Sequence, residues 1–154
     1  MEQFINFCIE KNITISTCES FTGGFLAHEI TNISNSSKIF KGGFVCYSDE
    51  FKINILNVPQ KVIKKYSSVS EECLTEMLNN TQILLKTDLV LGFTGFAPPL
   101  DETNPKSGLV FYGIKYKDEI NIFSFTTKTN SLREDFKKEV KEKVLKKVHI
   151  ILNF

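Results

Sequence analysis

The sequence predicts an α/β protein, a three-layer α/β/α sandwich around a mixed, mostly parallel sheet of about five strands. Three observations predict it. Short apolar or β-branched runs alternate with segments of helical periodicity up to residue 94, the pattern of parallel strands joined by helices. Two later runs flank Lys117-Asp118-Glu119 as a hairpin, which makes at least one strand antiparallel. The chain has 154 residues, 42% of them hydrophobic, enough for one domain with a buried core and no covalent staples. Residues 1–154 therefore read as a single domain.

In chain order, Phe4, Ile5, Cys8 and Ile9 recur at helical spacing over residues 2–11. Ile13 to Cys18 alternates as a β-branched strand. Glu19-Ser20-Phe21-Thr22-Gly23-Gly24 leads into a helix ending near Asn32. A second strand spans Phe40 to Tyr47. Ser48 caps a short helix containing Lys52, and Pro59 suits the first turn of another ending near Tyr66. Ser70 caps a helix that carries Glu71 and Glu72 in its first turn and runs to about Lys86. Asp88 to Thr94 is a buried strand, and residues 95–107 are a proline-containing loop. The hairpin pairs Leu109–Tyr116 with Ile120–Thr126. A last helix over about 131–151 places Phe136, Val140, Val144, Val148 and Ile151 on one face.

Composition excludes several classes. Nineteen basic and 18 acidic residues give a net charge of +1, against both wholesale disorder and a domain built to coat nucleic acid. The lysines of the last helix alternate with Glu134, Asp135, Glu139 and Glu142, so they read as a solvated face and no nucleic-acid partner is expected. No apolar run reaches membrane-span length, and Met1-Glu2-Gln3-Phe4 does not begin a signal peptide. A cytoplasmic protein is expected. Four dispersed cysteines (Cys8, Cys18, Cys46, Cys73) suit reduced buried thiols better than a zinc site or a disulfide framework. The two histidines, His28 and His149, offer little for a triad or a metal centre. Lysine dominates the cations, which sets apart the single arginine, Arg133, because guanidinium grips phosphate or carboxylate with two parallel hydrogen bonds. Most phenylalanines fit core positions. Phe21 fits either packing or a ligand ring, and Phe44, Phe111 and Phe123 fit either the core or a subunit interface.

The strongest chemical signal is the strand–turn–helix at Glu19–Gly24. Ser20 falls just after a strand, where open α/β sheets bind ligands. Thr22, Gly23 and Gly24 open a helix and offer backbone N–H groups to an anion or an oxyanion. An ordinary helix cap with packing glycines fits the same residues, and this pattern alone leaves both readings open. A serine nucleophile needs a base. Lys52, five residues after Tyr47, can reach the same crevice, although most lysines are solvated surface charges.

Taken together, these residues resemble the CinA C-terminal domain family, the nicotinamide-nucleotide amidohydrolases. Glu19-Ser20-Phe21-Thr22-Gly23-Gly24 resembles the family's ESxTGG signature. The likeness continues through Ser36-Ser37, Phe40-Lys41-Gly42-Gly43, Tyr47-Ser48, Lys52, Leu56-Asn57-Val58-Pro59, Val69-Ser70-Glu71-Glu72, Phe93-Thr94-Gly95, Gly108-Leu109-Val110 and Arg133-Glu134. The resemblance implies the α/β/α fold and hydrolysis of nicotinamide mononucleotide (NMN) to nicotinate mononucleotide and ammonia, in pyridine nucleotide salvage. It implies Ser20 as nucleophile, with Tyr47 and Lys52 moving its proton. Thr22, Gly23 and Gly24 are then candidate oxyanion donors, and Ser37, Thr94, Gly95 and Arg133 match site-forming or nucleotide-binding positions. Neither cofactor nor metal is implied, and a homo-oligomer is expected. Starting at this domain, the chain resembles the stand-alone form, and the N-terminal domain of many relatives is not expected.

One stretch departs from the family. A glycine-rich IAGPxGG loop usually follows the TG pair, whereas this chain has Phe96-Ala97-Pro98-Pro99-Leu100-Asp101. Proline removes an N–H, and Asp101 adds a negative charge. Lys137 stands where the family often has a second arginine. Two alternatives to the hydrolase follow: a nucleotide-binding protein with impaired turnover, and an accessory protein associated with competence or DNA damage.

Overall fold

The computed structural model describes residues 1–154. Its elements are α1 (Glu2–Lys11), β1 (Ile15–Glu19), α2 (Phe25–Thr31), a 3-10 turn at Ser36–Lys38, β2 (Phe40–Val45), α3 (Asp49–Asn54), α4 (Gln60–Tyr66), α5 (Glu71–Leu85), β3 (Leu89–Gly95), β4 (Leu109–Tyr116), β5 (Glu119–Thr126) and α6 (Arg133–Leu152). The five strands form one sheet in the order β2-β1-β3-β4-β5. β1 pairs in parallel with both β2 and β3, and β4 runs antiparallel to β3 and β5. Four strands thus share a direction and β4 opposes them, the mixed, mostly parallel sheet that the sequence predicts.

The chain leaves β1 to one side for β2, then crosses to the other side for β3. Parallel crossovers are right-handed, so crossovers in opposite directions put their helices on opposite faces. α2 accordingly joins α1 and α6 on one face, and α5 joins α3 and α4 on the other. Alternating strand residues feed the two cores. Ile15, Leu89, Leu91, Phe93, Val110, Tyr112 and Ile114 pack with Phe4, Ile5, Leu26, Ile30, Phe136, Val140, Val144 and Val148. Cys18 and Val90 face the second core, with Leu56, Val58, Cys73, Leu74, Met77 and Leu78.

α5 settles close to the sheet because two strand positions have no side chain. A Cβ at Gly92 would stand 2.7 Å from Cys18 Sγ and 2.8 Å from Leu78 Cδ2, and one at Gly113 would stand 2.6 Å from Leu78 Cδ1. The far end of the sheet is tied by a reciprocal clasp. Thr14 N–H and Oγ1 donate to Asp88 Oδ2 at 2.9 and 2.6 Å, and Asp88 N–H donates back to Thr14 Oγ1 at 3.0 Å. Those hydrogen bonds hold the Asp88 carboxyl below its usual range.

Phe44 and Phe111 pack against the second core and Phe123 against the first, stacked on Tyr112 at 5.3 Å. Pro59 stands at the N-cap of α4, one residue ahead of the helix. On α6, Lys138 and Lys143 pair with Glu134 (2.8 Å) and Glu139 (3.5 Å), and Lys141 reaches Glu29 on α2 at 2.9 Å. No helix is long and apolar enough to cross a membrane.

Candidate active site

β1, β2 and β3 are parallel, so their C-terminal ends share one edge of the sheet. Ser20 stands there, and its N–H donates to the Phe93 carbonyl at 3.1 Å, extending the pairing with β3 past Glu19. Glu19 itself is fully buried. Its Oε2 and Oε1 accept from the N–H groups of Leu26 (3.1 Å) and Ala27 (2.9 Å), and its carbonyl accepts from Cys46 N–H at 2.6 Å. A carboxylate at a helix N-terminus satisfies orphan donors and meets the positive end of the helix. Glu19 thereby binds the ends of β1 and β2 to the start of α2. Between them the chain reverses through Gly23 and Gly24, at φ 63° and 89°, a region that side chains disfavour.

The opposite wall comes from α3. Ser48 Oγ accepts from Phe51 N–H at 3.1 Å, the N-cap that fixes where this short helix begins. Lys52 then turns inward, 2% exposed, and its Nζ donates to Ser20 Oγ at 3.3 Å. The nearest carboxylate oxygen to Nζ is Asp49 Oδ1, at 4.0 Å. Behind Lys52 lie the buried thiols Cys46 and Cys73. Burial pushes them up to about 12 and about 11, and the Lys52 charge opposes that rise.

A cavity of about 350 Å³ opens over this pair. β3 ends on it with Thr94 and Gly95, and Thr94 Oγ1 donates to the Ser68 carbonyl at 2.7 Å. Arg133, the first residue of α6, lines it from another side, and residues 96–107 close it with Asp101, Asn104 and Ser107. Phe21 packs, buried with its ring 5.7 Å from that of Phe136, and one side of it also lines the cavity.

The structure brings Ser20, Tyr47, Lys52, Thr94, Gly95 and Arg133 to this one cavity. Tyr47 is 64% exposed and its hydroxyl bonds to neither Ser20 nor Lys52. Thr22, Gly23 and Gly24 form the neighbouring turn and do not line the cavity. Within that turn, Gly23 N–H is held by the Ser20 carbonyl at 3.0 Å, while the N–H groups of Phe21, Thr22 and Gly24 donate to no backbone carbonyl. Thr22 Oγ1 is buried without a hydrogen-bond partner. Ser37 stands apart from the cavity. It is exposed on the 3-10 turn before β2, at the opposite end of that strand from Tyr47. Lys137 comes within 3.7 Å of the Cβ position of Gly23, one helical turn after Arg133.

Sequence reasoning missed the capping role of Glu19 and the lining roles of Asp49, Ser68, Asn104 and Ser107. Glu19 had a legible signal, an acidic residue at the end of an otherwise uncharged strand, directly ahead of a short helix. Ser68 had none, because its carbonyl acts and any residue carries one.

The family model of the CinA C-terminal domain matches residues 1–152. A Bacillus subtilis (strain 168) protein named for competence-damage induction is 39% identical over 129 residues, 82% of this chain and 31% of that protein. A "CinA-like protein" of Dictyoglomus turgidum is 38% identical over 121 residues, 78% of this chain and 29% of that protein. The chain therefore spans about a third of the length of these curated relatives. Among solved structures, a CinA superfamily protein from Escherichia coli is 26% identical with a TM-score of 0.79, over 84% of this chain and 76% of that one. A competence damage-inducible protein from Klebsiella pneumoniae superposes with a TM-score of 0.90 at 24% identity, over 98% of this chain and 93% of that one, a likeness of fold.

Proposed function

This chain belongs to the CinA C-terminal domain family, and from that premise we propose that it is a serine amidohydrolase that converts NMN to nicotinate mononucleotide and ammonia. The observation that carries the reading is the buried contact of 3.3 Å between Lys52 Nζ and Ser20 Oγ on the floor of a cavity. A hydroxyl becomes a competent nucleophile when a base stands within hydrogen-bond reach, and Lys52 is the only basic side chain bonded to it.

In this mechanism Lys52, as the free amine, takes the Ser20 proton while Oγ attacks the carboxamide carbon. The carbonyl oxygen gains the negative charge, and the unengaged amides of Phe21 and Thr22, next to the nucleophile, are the donors that stabilise it. Lys52 returns the proton to the leaving nitrogen, the C–N bond breaks, and ammonia departs. A water then attacks the nicotinoyl ester and gives Lys52 its proton, which passes to Ser20 Oγ as the ester bond breaks. Arg133 suits the 5′-phosphate as the cation that lines the cavity apart from the reacting pair. Tyr47 lines the same cavity, and its hydroxyl is the proposed second group in the proton transfer once substrate is bound.

The test is to incubate the purified protein with NMN and measure ammonia and nicotinate mononucleotide together, with Ser20→Ala in parallel. Equimolar products that vanish in the variant support the reading. A folded wild type that yields neither product sinks it.

A further inference from the structure

Residues 101–107 present an unusual set of polar groups to the cavity. The Asp101 side chain is held by its own loop, with Thr103 N–H and Oγ1 donating to Oδ1 at 2.9 and 2.6 Å. Those two bonds, with a smaller contribution from the Asn104 N–H, keep its carboxyl below the usual range, so it is ionised at neutral pH. Neither Thr103 bond engages Oδ2, which is left for a ligand.

Two neutral donors stand beside it. Ser107 Oγ accepts from Asp101 N–H at 2.7 Å, which leaves its own proton available. Asn104 Oδ1 accepts from Lys106 N–H at 2.9 Å, which leaves its NH2 available. Asp101, Asn104 and Ser107 all line the cavity that holds Ser20.

This inventory selects a ligand group. A phosphate is repelled by the ionised carboxylate. An ammonium or guanidinium is donor-only, and would leave the Asn104 and Ser107 donors facing donors. A hydroxyl both donates and accepts, and a vicinal pair can donate to Oδ2 while accepting from the two donors. We infer that Asp101, Asn104 and Ser107 form a subsite for the cis-diol of a ribose, with Asp101 as its specificity-determining acceptor. The inference rests on the nucleotide-hydrolase reading for the rest of the ligand. The phosphate then lies toward Arg133 and the carboxamide toward Ser20.

The experiment measures a binding ratio. Ribose 5-phosphate and 2-deoxyribose 5-phosphate are titrated by calorimetry into the full chain and into Asp101→Asn. The Asn variant retains an oxygen for the two Thr103 bonds and removes only the charged acceptor. Wild type is expected to prefer ribose 5-phosphate by about tenfold, as for loss of a hydrogen bond to a charged group, and the variant by less than about threefold. A general loosening of the loop would weaken both ligands and leave the ratio unchanged. Equal affinities in wild type, an unaltered ratio in the variant, or no binding of either sugar overturns the subsite. Turnover of NMN without this preference leaves the hydrolase standing and removes the subsite. The preference without NMN turnover keeps the subsite and removes the hydrolase.

Discussion

Lys52 Nζ lies 3.3 Å from Ser20 Oγ although 32 residues separate them. Strand register produces the meeting. Glu19 pairs with Val45 at the matched ends of β1 and β2, so Ser20 and the Cys46–Tyr47 segment leave the sheet side by side. The Ser48 cap then starts α3 at once, and its first turn returns Lys52 toward the edge it has just left. A one-residue change in either the register or the cap would aim the ammonium elsewhere.

If Lys52 is the base, its loss should separate activity from stability. Lys52→Met keeps an unbranched chain of similar length and removes a buried amine. Turnover of NMN should fall by about a thousandfold or more in kcat/KM, since base and nucleophile act as a unit. The thermal midpoint should hold or rise, because a desolvated polar group is replaced by apolar packing. Loss of fold and activity together, in a melting curve and an assay on the same sample, would make Lys52 a structural residue instead.

Arg133 should act on binding alone. Arg133→Ala is expected to raise the KM for NMN about tenfold or more and leave kcat near wild type, the pattern of an interaction made equally in ground and transition states. Nicotinamide riboside, which has no phosphate, should be hydrolysed equally well by both proteins. Steady-state kinetics with the two substrates checks this, and an equal loss on both would place Arg133 at the reacting centre.

Glu19 should matter to folding before chemistry. In Glu19→Gln one of the two capped amides of α2, Leu26 buried and Ala27 half-buried, meets an NH2 donor in place of an oxygen. An unsatisfied buried donor costs about 1–3 kcal/mol. Urea unfolding should show that loss as a lower midpoint with an unchanged slope. Wild-type stability in the variant would mean that the cap is dispensable.

The sequence exposed most elements because their local signals agree with the fold. Ser48 and Ser70 cap helices as their positions predict, accepting from Phe51 and Cys73 N–H at 3.1 Å each. The hairpin turns at Lys117, at φ 53°. Four of the five residues on the predicted apolar face of α6 are buried, and Ile151 packs at the edge of the core. The strand order was not legible, because period-2 alternation fixes faces and not neighbours. The separation of Ser37 from Ser20 was hidden for a related reason. A motif match carries residues in chain order, but α2 runs between those two positions and returns the chain to the opposite end of the sheet. The acceptor–donor set at 101–107 was invisible beyond the charge of Asp101, since it depends on which lone pairs the loop itself occupies.

The four cysteines give an alkaline prediction. All are free and buried. Burial raises Cys8 and Cys46 to about 12 and Cys73 to about 11 from an ordinary 9.0, and Cys18 is raised as well. A thiol whose folded value is raised keeps its proton in the native state where the unfolded chain has lost it. Between pH 9 and about 12 the native state therefore binds more protons, and stability falls as pH rises. The contribution is whole below pH 9 and is lost as pH passes through the folded values. Unfolding midpoints should accordingly be steady from pH 7 to 8.5 and decline from 9 upward. At pH 8 a thiol reagent should label native protein far more slowly than protein in denaturant, because the thiolate is the reactive form and access requires opening. Cys46→Ser and Cys73→Ser should each flatten the alkaline decline, and a decline of unchanged steepness in both would assign it to other groups.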